Sequence, residues 1–218
     1  MSQLIPADTH VTGDTGHVTD HNNVADMLTL VAQGGWNANA GGSGILGWNS
    51  DPAYGSGGLT ATAGTVYLQR LNFYLNTTVT NLLYWVPTLG AGASSTGTFV
   101  GLYNSAGTRL AVSADLLTTF NASGTAGMVV CPLTAAQAMS AGTFGWAACV
   151  FNLATTQPTL LRQQNTAANL NGGLTAANAR WAVNGTGQTS LPASITPSSN
   201  NFASGAPFNG ASFVAGWS

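Results

Sequence analysis

The sequence predicts a mainly β protein, an antiparallel, jelly-roll-like β-sandwich preceded by an extended N-terminal arm and one short α-helix. Residues 66–115 predict four consecutive strands, some by alternating apolar residues and some by short apolar runs. Two β-rich runs flank a turn that contains Asn104 and Gly107, which predicts a hairpin. Roughly eight strands joined by Gly-rich turns are typical of a sandwich or jelly roll.

The first 33 residues are predicted to be an arm and a helix that serve attachment or oligomerisation. Residues 1–18 contain turn-forming Pro and Gly, and Thr19 or Asp20 can cap the helix that follows. One apolar stripe with the spacing i, i+3, i+4 and i+7 consists of Val24, Met27, Leu28 and Val31. So short a helix is unstable alone in water, so the stripe must dock on the sandwich, on another copy or on a larger assembly. We expect it to be the attachment or oligomer contact.

Residues 34–58 are predicted to be a Gly-rich connector that is pinned to a surface by aromatic rings. The connector carries Trp36, Trp48 and Tyr54 among Gly, Ala, Asn and Ser, whereas a purely flexible linker would lack such rings. Exposed rings stack on sugar faces, so these three are also candidate ligand contacts, although docking onto a neighbour is the favoured interpretation. Trp85 and Trp146 lie in apolar strand-like runs and are expected in the core.

Residues 59–218 are predicted to form the β-sandwich head. In the first predicted strand the apolar side of the alternation changes part-way, between Leu68 and Arg70. Later segments with strand character are 128–131, 143–151, 159–163 and 213–217. Residues 132–142 are Ala-rich and are expected to be a short helix or a loop.

Charged residues make up only 5% of the chain, and Lys and Glu do not occur in it. With four Arg and a net charge of −2, too few cations exist to follow a phosphate backbone, so we expect no nucleic-acid partner. We also expect no membrane partner, because no apolar run reaches the length of a span. Such a composition suits dense association, since few charges need to be desolvated, and it also fits the codon habits of a GC-rich genome.

Cys131 and Cys149 both lie in apolar strand-like runs. Buried free thiols are the favoured interpretation, because cysteine packs as a small apolar residue. A disulfide between neighbouring strands stays open at this point.

A cluster of His and Asp residues near the N-terminus is the only candidate metal site. His17 and His21 are spaced i, i+4, and Asp20 lies between them. The favoured alternative is that these side chains cap the helix and form turns, since Gly16 places His17 before the helix. No cofactor is expected.

Catalytic motifs are weak, and we expect no enzyme. Asp51 and Asp115 are the only carboxylates outside the N-terminal segment, and no His follows His21 to complete a nucleophilic triad. Asp115 is thus the only candidate for a hydrolase in the head.

Three segments resemble a known family. Gly13–Asn22, Val100–Ala111 and Leu133–Phe144 are similar to segments of small virion surface proteins of tailed phages of Actinobacteria, known as capsid decoration, minor tail or fibre proteins. The resemblance implies a homotrimer whose N-terminal part binds other virion proteins, with a β head facing outward on a particle assembled in the host cytoplasm. It implies no catalytic residues.

These observations lead us to expect a structural virion surface protein that stabilises its assembly and contacts the host. The alternative is a fibre-tip adhesin that recognises a host cell-wall glycan.

Overall fold

Two antiparallel sheets pack face to face, so the predicted β-sandwich is confirmed. The computed structural model describes residues 45–93, 97–163, 179–196 and 212–218. All of them belong to the compact unit Asn39–Ser218. The arm and helix predicted for residues 1–33 lie outside the described residues.

The described residues form eleven strands and two short helical turns. The strands are β1 Gly47–Trp48, β2 Gly57–Thr60, β3 Tyr67–Phe73, β4 Thr77–Val86, β5 Phe99–Asn104, β6 Arg109–Val112, β7 Gly127–Met139, β8 Thr143–Val150, β9 Thr159–Arg162, β10 Trp181–Val183 and β11 Ala215–Trp217. A 3₁₀ turn spans Pro52–Tyr54, and α1 spans Leu117–Phe120. The four strands predicted within residues 66–115 are therefore confirmed as β3 to β6, and the predicted hairpin joins β5 to β6.

The strands pair in a nested pattern. One sheet has the order β1-β11-β4-β7 and the other has the order β10-β3-β8-β5-β6, while β2 and β9 form a separate two-stranded ribbon. Strand β5 pairs with β6, β4 with β7, β3 with β8 and β1 with β11. The chain thus forms one long antiparallel ribbon that folds back at the hairpin between β5 and β6. The two strands of each pair lie in the same sheet, and successive pairs along the ribbon lie in alternate sheets. Strand β8 is central in its sheet, as predicted for residues 143–151.

The main core lies between the two sheets. Strand β3 contributes Tyr67, Leu71 and Phe73, and strand β4 contributes alternate residues, of which Leu82 and Tyr84 are two. Edge-to-face ring pairs connect the layers, among them Phe73 with Trp217 at 5.2 Å between centroids. Such geometry is favourable for aromatic rings beyond the area they bury.

A second core covers the outer face of the five-stranded sheet. Val66, Leu68 and Trp146 point to this side and are covered by residues that follow β10, including Leu191 and Ile195. This covering explains why the apolar side of β3 changes part-way: its first half has apolar neighbours on both faces. The predicted burial of Trp146 is confirmed.

The prediction of a helix or loop for residues 132–142 is wrong for residues 132–139, because β7 continues to Met139, whereas residues 140–142 form the turn into β8. Pro132 lies opposite Asn81, where the register between β4 and β7 shifts after Val79. Strand β7 is also the last strand of its sheet. Bulges and edge strands are the sheet positions that tolerate proline, so tertiary context overrides the Ala-rich composition.

The prediction that Trp85 lies in the core is also wrong, because its side chain is 41% exposed. Strand residues alternate between faces, so Tyr84 and Val86 point inward and Trp85 points outward. The apolar run therefore does not mark a strand that is buried on both sides along its whole length.

Two further segments are placed by the structure. Residues 45–58, within the predicted connector, supply β1 and the start of β2 to the sheets.

Cys131 and Cys149 are both buried and carry free thiols, in agreement with the favoured interpretation.

Candidate functional site

An apolar row crosses the outer face of the four-stranded sheet. Trp48 of β1 pairs with Gly216 of β11, Gly216 pairs with Leu83 of β4, and Leu83 pairs with Val130 of β7. Paired residues project from the same face of a sheet. A side chain at Gly216 would collide with the Trp48 ring at 2.5 Å, so the ring lies over the backbone of β11.

The row is covered at one end and open at the other. Ile45 and Trp48 pack on Leu83, which is only 1% exposed. Beyond Leu83, Val130 is 45% exposed, and the neighbouring pair Trp85 and Met128 is 41% and 40% exposed. We call Trp85, Met128 and Val130 the apolar strip. The outer faces of the two sheets therefore differ, since the residues after β10 cover part of the five-stranded sheet with Leu191 and Ile195.

A small pocket of about 210 Å³ lies on the outer side of the five-stranded sheet, where β3 ends and β8 begins. Its lining residues are Arg70, Asn72, Phe73, Tyr74, Gly142, Thr143 and Phe144. Asn72 pairs with Phe144 across the two strands, and Arg70 pairs with Trp146. The cross-strand register therefore brings a cation, an amide and aromatic rings together from two separate parts of the chain.

The Arg70 guanidinium is held on two sides. Its Nε donates a hydrogen bond to Asn72 Oδ1 at 3.1 Å, and its central carbon lies 3.8 Å from the centre of the Phe144 ring. That ring also meets Trp146 edge to face at 6.1 Å, so it rests on the second core. Arg70 therefore has an ordered position at the surface.

The electrostatics of the pocket favour an anion. In the part of the chain that the structure describes, the carboxylates of Asp51 and Asp115 are engaged elsewhere, so Arg70 has no side-chain carboxylate partner. Burial lowers the pKa of Arg70 from its ordinary value of 12.5, yet a shift of this kind leaves it charged at neutral pH. Tyr74, at the rim, is 64% exposed.

Asp51 caps the 3₁₀ turn, and Asp115 accepts hydrogen bonds from two backbone N–H groups. Asp51 Oδ1 accepts a hydrogen bond from Ala53 N at 2.8 Å at the start of the 3₁₀ turn. Asp115 Oδ1 accepts from Thr98 N at 2.9 Å and from Leu117 N at 3.0 Å. These bonds give both carboxylates a structural role, as expected for Asp beside turns.

Two of the three aromatic residues predicted as ligand contacts, Trp48 and Tyr54, lie among the described residues. Trp48 is half-buried in the apolar row, whereas Tyr54 is 63% exposed in the 3₁₀ turn. The third of them, Trp36, lies outside the described residues. So do the predicted contact stripe and the predicted metal site, which consist of Val24, Met27, Leu28, Val31, His17, Asp20 and His21.

The described ranges contain no candidate for a metal site or for a membrane-spanning helix. No group of three or more metal-binding side chains occurs there. No helix among these residues is long and apolar enough to cross a membrane.

Sequence reasoning missed both the apolar strip and the pocket. The only signal for the pocket was the alternation of Arg70 and Asn72 on one side of β3, continued by Tyr74 just after the strand, and it gave no information about Phe144. The strip was hidden because Trp85 lies within an apolar run.

Comparison of the chain with protein-family models gave no match, and comparison with curated protein sequences gave none either.

Proposed function

We propose that this chain is a structural surface protein of a tailed-phage virion, a capsid decoration or short fibre protein that assembles as a homotrimer. In this proposal residues 1–33 attach it to other virion proteins, and the sandwich forms a non-enzymatic outward head. The protein would stabilise the particle by binding its assembled form only. The sequence resemblance supports the family, and the apolar strip supports the assembly.

The apolar strip is the observation that carries the proposal. Trp85, Met128 and Val130 lie side by side on neighbouring strands and are each at least 40% exposed. Contiguous exposed apolar residues of this kind are typical of interaction surfaces. Aromatic residues and Met are also enriched at interfaces between proteins, whereas charged residues are depleted at their cores.

A second copy is the proposed occupant of the strip. Only 5% of the residues are charged, so two copies can approach with little desolvation of charge. Trp and Met also supply the large apolar area on which subunit contacts depend.

The nested strand pairing supports a jelly-roll assignment for the head. Eight strands, β1, β3 to β8 and β11, form four nested pairs that are distributed over two sheets. Rolling up one long antiparallel ribbon produces such a pattern, and jelly rolls have two sheets and eight strands. This architecture is the one that the resemblance implies for the head.

Light scattering of the purified chain tests the assembly. We expect three times the chain mass for the native protein and a monomer for Trp85→Arg, because the new charge would be buried without a partner. Tyr54→Arg is the matched control, since Tyr54 is also exposed but lies outside the strip. A native monomer, or a trimer that survives Trp85→Arg, would contradict the strip as the subunit contact.

Mass spectrometry of purified particles tests the location. We expect the chain among the structural proteins of the phage that encodes it. Its absence from particles that are otherwise complete would contradict the proposal.

A second candidate function, a fibre-tip adhesin for a host cell-wall glycan, is supported by the pocket at Arg70. The pocket combines an ordered cation with the exposed ring of Tyr74 and the half-buried ring of Phe144, and small-molecule sites usually combine aromatic surface with a few polar groups.

A further inference from the structure

The geometry points to a binding site for a carboxylate-bearing sugar in the pocket formed by Arg70, Asn72, Tyr74 and Phe144. This site would supply the ligand contact of the second candidate function, the glycan adhesin. Binding at the site does not depend on the homotrimer, so the two can be tested separately.

The Arg70 guanidinium has hydrogen-bond donors to spare. A guanidinium has five N–H donors, and the described contacts of Arg70 use only its Nε–H, which bonds to Asn72. The guanidinium carbon also lies 3.8 Å from the centre of the Phe144 ring, and this contact helps to hold the group in place. The two Nη groups are thus available side by side, which is the geometry that binds a carboxylate through two parallel hydrogen bonds.

The residues around Arg70 suit a sugar ring. Tyr74, which is 64% exposed, offers aromatic surface for the apolar face of a sugar ring. Asn72 uses its Oδ1 to hold Arg70, which leaves its Nδ2 as a donor for a hydroxyl oxygen. A ligand with both a carboxylate and a flat ring that carries hydroxyls would use all of these groups.

The volume and the charge of the pocket suit a single sugar with one carboxylate. The pocket measures about 210 Å³, below the range of about 300–1,000 Å³ that is usual for drug-sized ligands. A single sugar, or the last sugar of a chain, suits such a volume. Arg70 is the only cation among the lining residues, which favours one carboxylate over a polyphosphate or a nucleic acid.

Nuclear magnetic resonance titration of the full chain tests the inference, with D-glucuronate as the probe. D-Glucose controls for the ring without the charge, and acetate controls for the charge without the ring. We expect saturable shifts in Tyr74 and Phe144 with glucuronate, and an affinity at least about tenfold above that of either control, because each loses a set of contacts.

Three variants locate the binding. Arg70→Gln should weaken glucuronate binding by about tenfold or more, and Arg70→Lys should weaken it severalfold, since a point charge replaces a planar fork. Tyr74→Ala should weaken it severalfold. Tyr54→Ala is its matched control, because the two side chains are 64% and 63% exposed, and it should bind as the native chain does.

Several results would overturn the inference. Glucuronate that binds no better than acetate would remove the role of the ring, and equal binding of glucose would remove the role of Arg70. Unchanged shifts in the native chain at the solubility limit of glucuronate would exclude the site. Full binding by Tyr74→Ala, in which a side chain that is 64% exposed is removed, would also contradict it.

Discussion

Tyr84 and Gln69 form a hydrogen-bonded pair in the middle of the sandwich. Tyr84 projects from the four-stranded sheet and Gln69 from the five-stranded sheet, and the Tyr84 hydroxyl donates to Gln69 Oε1 at 2.9 Å. Both side chains are fully buried. Gln69 Nε2 has no acceptor among the described residues, so the pair combines a satisfied bond with an unsatisfied donor. Unsatisfied buried groups are costly, which makes this pair sensitive to substitution.

Tyr84→Phe should lower the free energy of unfolding by about 1–3 kcal/mol, because Gln69 Oε1 would then lose its donor as well. The double variant Tyr84→Phe with Gln69→Leu removes all the polar atoms at nearly constant volume, so we expect it to be more stable than Tyr84→Phe alone. Urea unfolding curves of the native chain and the variants measure both effects.

A double variant that is less stable than Tyr84→Phe would contradict this account. It would mean that Gln69 stabilises the core through its packing and not merely through the bond to Tyr84.

The close contact between strands β8 and β5 depends on a glycine. A side chain at Gly145 would place its Cβ 2.6 Å from the backbone oxygen of Tyr103, on the neighbouring strand. The same Cβ would lie 3.4 Å from the Phe73 ring. A backbone oxygen in a central pairing cannot move aside as the end of a flexible side chain can, so the position requires glycine.

Gly145→Ala should lower the free energy of unfolding by about 1–3 kcal/mol, the usual cost of overpacking. Gly58→Ala in β2 is the matched control, because its added methyl would meet the Thr159 side chain on an exposed ribbon. We expect the smaller loss there, as measured by thermal or urea unfolding. Equal losses for the two variants would indicate that β5 and β8 separate at little cost.

The elements that sequence could predict are those whose pattern is local. The hairpin between β5 and β6 follows from its turn residues and the alternation beside them, and Gly107 has the positive φ of 87° that such a turn favours. The second part of β7, beyond the predicted segment 128–131, was missed because its edge position and bulge, which accommodate Pro132, are properties of the sheet.

The two surface features could not be predicted for a similar reason. Whether Trp85 is buried depends on what covers its sheet, and the covering residues 45–48 reach only as far as Leu83. The Arg70 pocket depends on the register that sets Asn72 opposite Phe144, seventy-two positions along the chain. Neither the covering nor the register is written in a local pattern.

The fold relies on apolar packing and on buried neutral side chains, which include two thiols and three tyrosine hydroxyls. Burial raises the pKa of the Cys131 thiol well above its ordinary value of 9.0, and it raises the pKa of Cys149 to about 12. Tyr84 and Gln69 partly offset the shift of Cys149. Burial likewise raises the pKa of Tyr67 and Tyr84 above 10.0 and that of Tyr103 to about 12.

These shifts predict a loss of stability at alkaline pH. Above about pH 9 the unfolded chain releases its thiol protons while the folded chain retains them, so the unfolded state binds fewer protons. The free energy of unfolding therefore falls as pH rises, by up to about 1.4 kcal/mol per pH unit for each such group. The tyrosines add to the decline above about pH 10.

Urea unfolding at a series of pH values between about 7 and 11 measures this decline. The matched variant carries Cys131→Ala and Cys149→Ala, and its decline should begin about one pH unit higher, because only the tyrosines then respond. The comparison uses the pH dependence and not the absolute stability, so any packing cost of the alanines cancels. An identical onset in both proteins would mean that the two thiols reach solvent in the folded chain, which would contradict their burial between the sheets.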